Sequence, residues 1–117
     1  MDAQSLRVNA RKASTLLKAM GNERRLLILC YLAEGEHSVG ELERLVGLSQ
    51  SALSQHLARL RKDKLVRTRR NAQTIYYSLN GRDASSVMRT LYELYCADDA
   101  RHRNGRDAPC SPEPVMG

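Results

Sequence analysis

Apolar residues recur at helical spacing along most of the chain. Leu6, Ala10, Ala13, Leu17 and Met20 stand at i, i+4, i+7, i+11 and i+14, which predicts an amphipathic helix of about four turns ending at Gly21. Its stripe suits a core face or a subunit seam equally well. Asn22 is placed to cap a second helix, ERRLLILCYLAE, apolar nearly all round from Leu26 to Leu32. A helix of that kind belongs in the middle of a small domain. Gly35 ends it.

Next, Ser38 followed by Glu41 forms a capping box, so a third helix starts there with Val39, Leu42 and Val46 as its buried stripe. Gly47 stops it, Leu48 plugs the turn and Ser49 caps a fourth helix. In that helix, SQSALSQHLARLRKD, Leu53, Leu57 and Leu60 share one face while Ser51, Ser54, Gln55 and Arg59 share the other. Plain surface helices favour Glu and Lys, which are better helix formers. Short hydroxyl and amide side chains are instead what base edges in a major groove are read with. Two short helices joined by a tight turn, the second polar on its outward N-terminal face, form a helix-turn-helix.

After Asp63 the period changes. LVRTRR and TIYYSL, separated by Asn71-Ala72-Gln73, are rich in β-branched and aromatic residues and predict a hairpin. Placed directly behind a recognition helix, such a hairpin is a wing. Arg67, Arg69 and Arg70 line its first strand, and Asn71 and Gln73 sit at its tip, in reach of a minor groove or a run of phosphates. A last helix, beginning at Asp83 or Ala84, carries Val87, Leu91 and Leu94 on one stripe with Met88, Tyr92 and Tyr95 beside it. That apolar surface exceeds what a small core needs and predicts a dimer interface shared with the first helix.

Charge sharpens the picture. Between Arg59 and Arg70 there are seven basic residues against Asp63 alone, a local balance equal to the formal net charge of the whole 117-residue chain, +6. The positive charge therefore sits beside the candidate reading helix, as nucleic-acid binding requires. With no Phe or Trp, the chain lacks the aromatic strand platform on which RNA-binding sheets stack bases. No motif pairs a nucleophile with a base or cradles phosphate, so no enzymatic activity and no cofactor are expected. No apolar run approaches 18 residues, so no membrane partner is expected and a cytoplasmic location follows by default. Beyond Arg101 lie all three prolines, Pro109, Pro112 and Pro114, and the composition predicts a folded domain over 1–100 with a disordered tail over 101–117. Cys30, Cys96 and Cys110 are an odd count at wide spacing, unlike a secreted disulfide framework or a zinc knuckle.

The order helix, helix, helix-turn-helix, wing, helix, together with LSQSALSQHLARLRKDKLV and TRRNAQTIYYSL, resembles the ArsR family of bacterial winged-helix repressors. The resemblance covers roughly Leu16 to Cys96. It implies a mainly α, winged helix-turn-helix homodimer, joined through its first and last helices, that binds an inverted-repeat DNA operator and releases it when an inducer arrives. It places Ser51, Ser54, Gln55 and His56 at the groove; Gln50, Arg59 and Lys62 on the same helix and Arg67, Arg69, Arg70, Asn71 and Gln73 on the wing complete the candidate DNA contacts. His56 belongs to this set with three roles open: base reading, phosphate contact or packing.

Many relatives in that family sense metals through a cysteine pair in the first helix of the helix-turn-helix. Here that stretch reads HSVGEL, with Ser38 and Gly40 where thiolates would stand. The last helix has no histidine before His102, Asp98 and Asp99 lack suitable companions, and His37, His56 and His102 are scattered. No metal site is expected. Cys30 in LLILC and Cys96 in LYELYC instead resemble the thiol-based, reactive-sulfur-sensing branch of the SqrR, BigR and HlyU type. That resemblance implies that persulfides convert Cys30 and Cys96 to a polysulfide bridge and weaken DNA binding. Both cysteines lie toward helix C-termini, where the dipole disfavours a thiolate. Cys110 is expected to be dispensable. The alternatives are disulfide-based redox control, a metalloid response, or a ligand-independent regulator with merely packed cysteines.

Overall fold

The computed structural model describes residues 2–97. The expectations for the tail, for Asp98, Asp99 and His102, and for Cys110 lie outside the described residues. Helix α1 spans Ala3–Met20, α2 Glu23–Glu34, α3 Val39–Val46, α4 Gln50–Lys62 and α5 Gly81–Leu91. The strands are β1 (His37–Ser38), β2 (Val66–Asn71) and β3 (Thr74–Leu79). They form one antiparallel sheet in the order β1-β3-β2.

Helix α2 is the axle of the domain. The Asn22 side chain accepts hydrogen bonds from the Arg24 and Arg25 backbone N–H groups at 2.9 and 3.0 Å, capping its start. Its Ile28, Leu29 and Leu32 are buried, and it packs against α3, α4, α5 and β3. Leu42 and Val46 of α3, the Leu53, Leu57 and Leu60 face of α4, Leu65, Val66, Ala84 and Met88 complete one apolar core. None of the described residues is a buried polar or charged one. Tyr31 reaches past this core to α3, donating its hydroxyl to the Leu45 carbonyl at 3.3 Å.

The first helix meets the core only at its C-terminal end, through Leu16, Ala19 and Met20. There, Arg25 donates from Nε to the Ala19 carbonyl at 2.6 Å, satisfying an orphan carbonyl of the helix end. The rest of the predicted stripe, Leu6, Ala10, Ala13 and Leu17, stays exposed, with Leu17 at 59%. It is therefore not a core face of this chain.

Three details differ from the sequence reading. The hairpin turn is two residues, Ala72 and Gln73, because Asn71 pairs with Thr74; Ala72 takes the left-handed conformation at φ 58° that so tight a turn requires. Helix α5 starts at Gly81, and the Asn80 side chain donates to the Lys64 carbonyl at 3.0 Å instead of capping the helix. Past Leu91 the helix widens into a π-wound segment, Tyr92–Ala97. An unbroken α-helix turns about 100° per residue and would set Cys96 roughly 80° round from Met88. The wider i→i+5 winding takes up that difference, and Cys96 is buried at 0% exposure as Met88 is at 7%.

Candidate DNA-reading face and thiol cavity

The reading face is assembled by local hydrogen bonds. Glu41 N–H donates to Ser38 Oγ at 3.1 Å and Ser38 N–H to Glu41 Oε1 at 2.9 Å, closing the predicted capping box. That reciprocal bond, with His37 Nδ1 3.3 Å from the same carboxylate oxygen, holds the Glu41 carboxyl below its usual pKa. Gly47 adopts φ 78°, which ends α3 and turns the chain. Ser49 Oγ accepts from Ala52 N–H at 3.2 Å and starts α4. With Leu53, Leu57 and Leu60 buried, the geometry leaves Gln50, Ser51, Ser54, Gln55, Arg59 and Lys62 exposed on one outward surface.

Not all the predicted contacts stand equally free. Gln50, Ser51, Ser54, Gln55 and Lys62 engage no other side chain by hydrogen bond or ion pair among the described residues. Arg59 is paired with Asp63, Nε to Oδ2 2.8 Å, an exposed i,i+4 contact that salt screens. His56 is half-buried, and its pKa is lowered by burial and then by Arg25 and Arg24. Its partial burial on α4, with the Arg25 and Arg24 charges of α2 acting on it, favours the packing role among the three left open.

On the wing, Arg70, Asn71 and Gln73 are exposed and without a side-chain partner among the described residues. Arg67 makes a long hydrogen bond to Ser78 Oγ at 3.3 Å. Arg69 is different. Its Nε and Nη2 donate to Glu36 Oε2 and Oε1 at 2.7 and 2.8 Å, and its guanidinium lies 4.5 Å from the centre of the Tyr76 ring. Sequence reasoning missed Glu36, which is 33 residues away, and no local pattern marks it.

The second feature is a cavity of about 600 Å³ between α2 and the end of α5. Cys30 and Cys96 both line it, together with Leu26, Ala33, Glu34, Leu79, Met88, Tyr92 and Tyr95. The fold therefore brings the two predicted thiol positions to one space. Cys30 is half-buried and a free thiol, its pKa raised by burial and then by the Glu34 carboxylate. Cys96 is disulfide-bonded, whereas Cys30 is not. Among the described residues no group of three His, Cys, Asp or Glu side chains could hold a metal ion, and no helix is long and apolar enough to cross a membrane.

Comparison with known proteins agrees with this architecture. Residues 22–68 match the family model "Bacterial regulatory protein, arsR family". The transcriptional activator HlyU of Vibrio cholerae is 54% identical over 96 residues, covering 82% of this chain and 89% of that protein. The structure of reduced HlyU from the same organism superposes with a TM-score of 0.77, covering 80% of this chain and 98% of that one at 55% identity. The transcriptional repressor BigR of Xylella fastidiosa gives 0.75 at 39% identity, over 84% and 97% of the two chains. A homodimeric winged helix-turn-helix DNA-binding domain from Mycobacterium bovis gives 0.71 at 25% identity, over 92% and 96%. With its helix-turn-helix, its wing and these relatives, the chain is a DNA-binding transcriptional regulator of the ArsR family.

Proposed function

We propose that this regulator is a dimeric repressor whose operator binding is relieved when persulfides link Cys30 to Cys96 through added sulfur. The observation that carries the reading is the shared cavity: the two cysteines come from distant elements, yet line one space, mainly apolar but with Glu34, Ser85 and Arg89 also in its wall, next to the helix that braces the reading head. The DNA-contacting set is Gln50, Ser51, Ser54, Gln55 and Lys62 on α4 with Arg67, Arg70, Asn71 and Gln73 on the wing, and Arg59 joins it when it leaves Asp63. The dimer forms through α1 and the end of α5. Leu6, Leu17, Tyr92, Leu94 and Tyr95 are each more than half exposed there, and burying such aromatic and aliphatic surface is what drives association. Two-fold symmetry then matches an inverted repeat.

The chemistry starts from the fully reduced chain, with the Cys96 disulfide opened. One hydropersulfide passes its outer sulfur to Cys30 and leaves as a thiol. A second lengthens that persulfide by one more sulfur and also leaves as a thiol. The Cys96 thiol attacks the sulfur next to the Cys30 sulfur and expels hydrogen sulfide, closing a trisulfide. Atoms and electrons balance with the two hydropersulfides as oxidant. The raised pKa of Cys30 slows each step in which its thiolate is the nucleophile, the first sulfur transfer included. The closed bridge ties α2 to the end of α5, and hence the reading head to the dimer face.

Intact mass spectrometry of the reduced chain after sodium tetrasulfide, paired with band-shift of a duplex selected by the protein from a random pool, tests the reading. The expected result is added sulfur mass joining Cys30 to Cys96 and loss of the shifted band. Cys30→Ser and Cys96→Ser should each bind DNA and ignore the treatment; release of DNA by either variant overturns the bridge. A second reading, control by ordinary disulfide exchange at Cys96, is favoured by the disulfide that residue already carries. It predicts loss of two hydrogens and no added sulfur.

A further inference from the structure

Glu36 is an acidic side chain set among the arginines of the wing. It stands two residues past the end of α2 and immediately before β1. Arg69 lies on β2, the opposite edge strand of the sheet, and its cross-strand neighbour on the central strand is Tyr76. Tyr76 is in turn paired with Ser38 of β1. The bidentate Glu36–Arg69 contact therefore spans the whole sheet, edge to edge, with the guanidinium resting over the ring of the middle strand. Fork-to-fork geometry fixes direction as well as distance, and stacking on the ring fixes it further. The backbone anchor on this side is weak by comparison, since β1 contributes only two residues to the sheet.

We infer that Glu36 is a positioning residue for DNA binding: through Arg69 it sets the tilt of the wing relative to α4, and Arg69 is a strut and not a phosphate contact. The inference rests on the reduced chain and is independent of the cysteine chemistry. It reverses the ordinary electrostatic expectation. A carboxylate beside a DNA-binding surface repels phosphate, so neutralising it should tighten binding if it has no other task. As a strut, its loss should weaken binding.

The test uses the full-length reduced protein and the duplex it selects from a random pool, titrated across a range of salt. Glu36→Gln should lower affinity about three- to fivefold, the size expected of an exposed but well-formed ion pair, with the thermal unfolding midpoint lowered by only a few degrees. Exchanging the pair, Glu36→Arg with Arg69→Glu, should restore most of the affinity at the same net charge. Arg69→Met should weaken binding without changing the slope of log affinity against log salt, whereas Arg70→Met should reduce that slope by about one, as removal of a phosphate contact does. Equal or tighter binding by Glu36→Gln, failure of the exchanged pair to recover, or a slope reduced by about one in Arg69→Met would each overturn the inference.

Discussion

On the reading head, from Ser38 to Asn71, the side chains that matter point outward and stand close together along the chain. Around the thiol cavity they point inward and come from the second helix and the last. The first region is built from local signals: a capping box, a left-handed glycine, a serine cap and a cluster of basic residues, each acting within a few positions. The second exists only when α2 and α5 pack, and one of its cysteines faces inward because the helix beneath it is wound more widely than its neighbours. A surface for contact tolerates change in any one side chain, because the backbone holding it is fixed independently. A cavity does not have that independence.

The largest expected effect falls where the reading head meets the core. Leu60 is fully buried, and Leu60→Ala should destabilise the fold by about 2–5 kcal/mol in chemical denaturation, since the transfer and cavity terms add. A value near zero would mean that the back of α4 is not packed as described. On the outward side of the same helix, Gln55→Ala should leave the unfolding curve in place. It should cost about 1–3 kcal/mol in affinity for the selected duplex, concentrated at one base position; a uniform loss over all positions would make Gln55 a backbone contact. The smallest effect belongs to the cavity. Burial and Glu34 both raise the Cys30 pKa, so alkylation in the reduced protein should accelerate only at a pH above the ordinary cysteine range. Glu34→Gln removes a negative charge, stabilises the thiolate and should shift that profile to lower pH. An unchanged profile would leave burial as the whole cause.

The contrast also governs what was legible in the amino-acid order. Ser38, Glu41, Gly47 and Ser49 marked the helix ends because caps are local chemistry. Val, Thr, Ile and Tyr marked the hairpin because strands select such side chains. Strand β1 was invisible: two residues cannot show alternation, and its pairing partners, Tyr76 and Tyr77, lie far along the chain. A 3.6-residue projection put Leu94 on an apolar stripe in excess of the core, and Leu94 is 56% exposed; what it did not show is that Cys96 is buried, because the π-wound segment breaks the assumed period. Cys30 and Cys96 were singled out by resemblance. Their common cavity is a tertiary fact that no periodicity encodes.

Tyr31 follows Cys30 directly, and its hydroxyl is fastened to the last turn of α3 at the Leu45 carbonyl. That tether lies one step from the thiol and ends just ahead of the hinge into α4. Rotation of α2 about its own axis, from whatever source, must either drag that turn along or sever the phenol's hold on it. Tyr31→Phe would remove that one polar tie between the two helices while leaving every apolar contact intact.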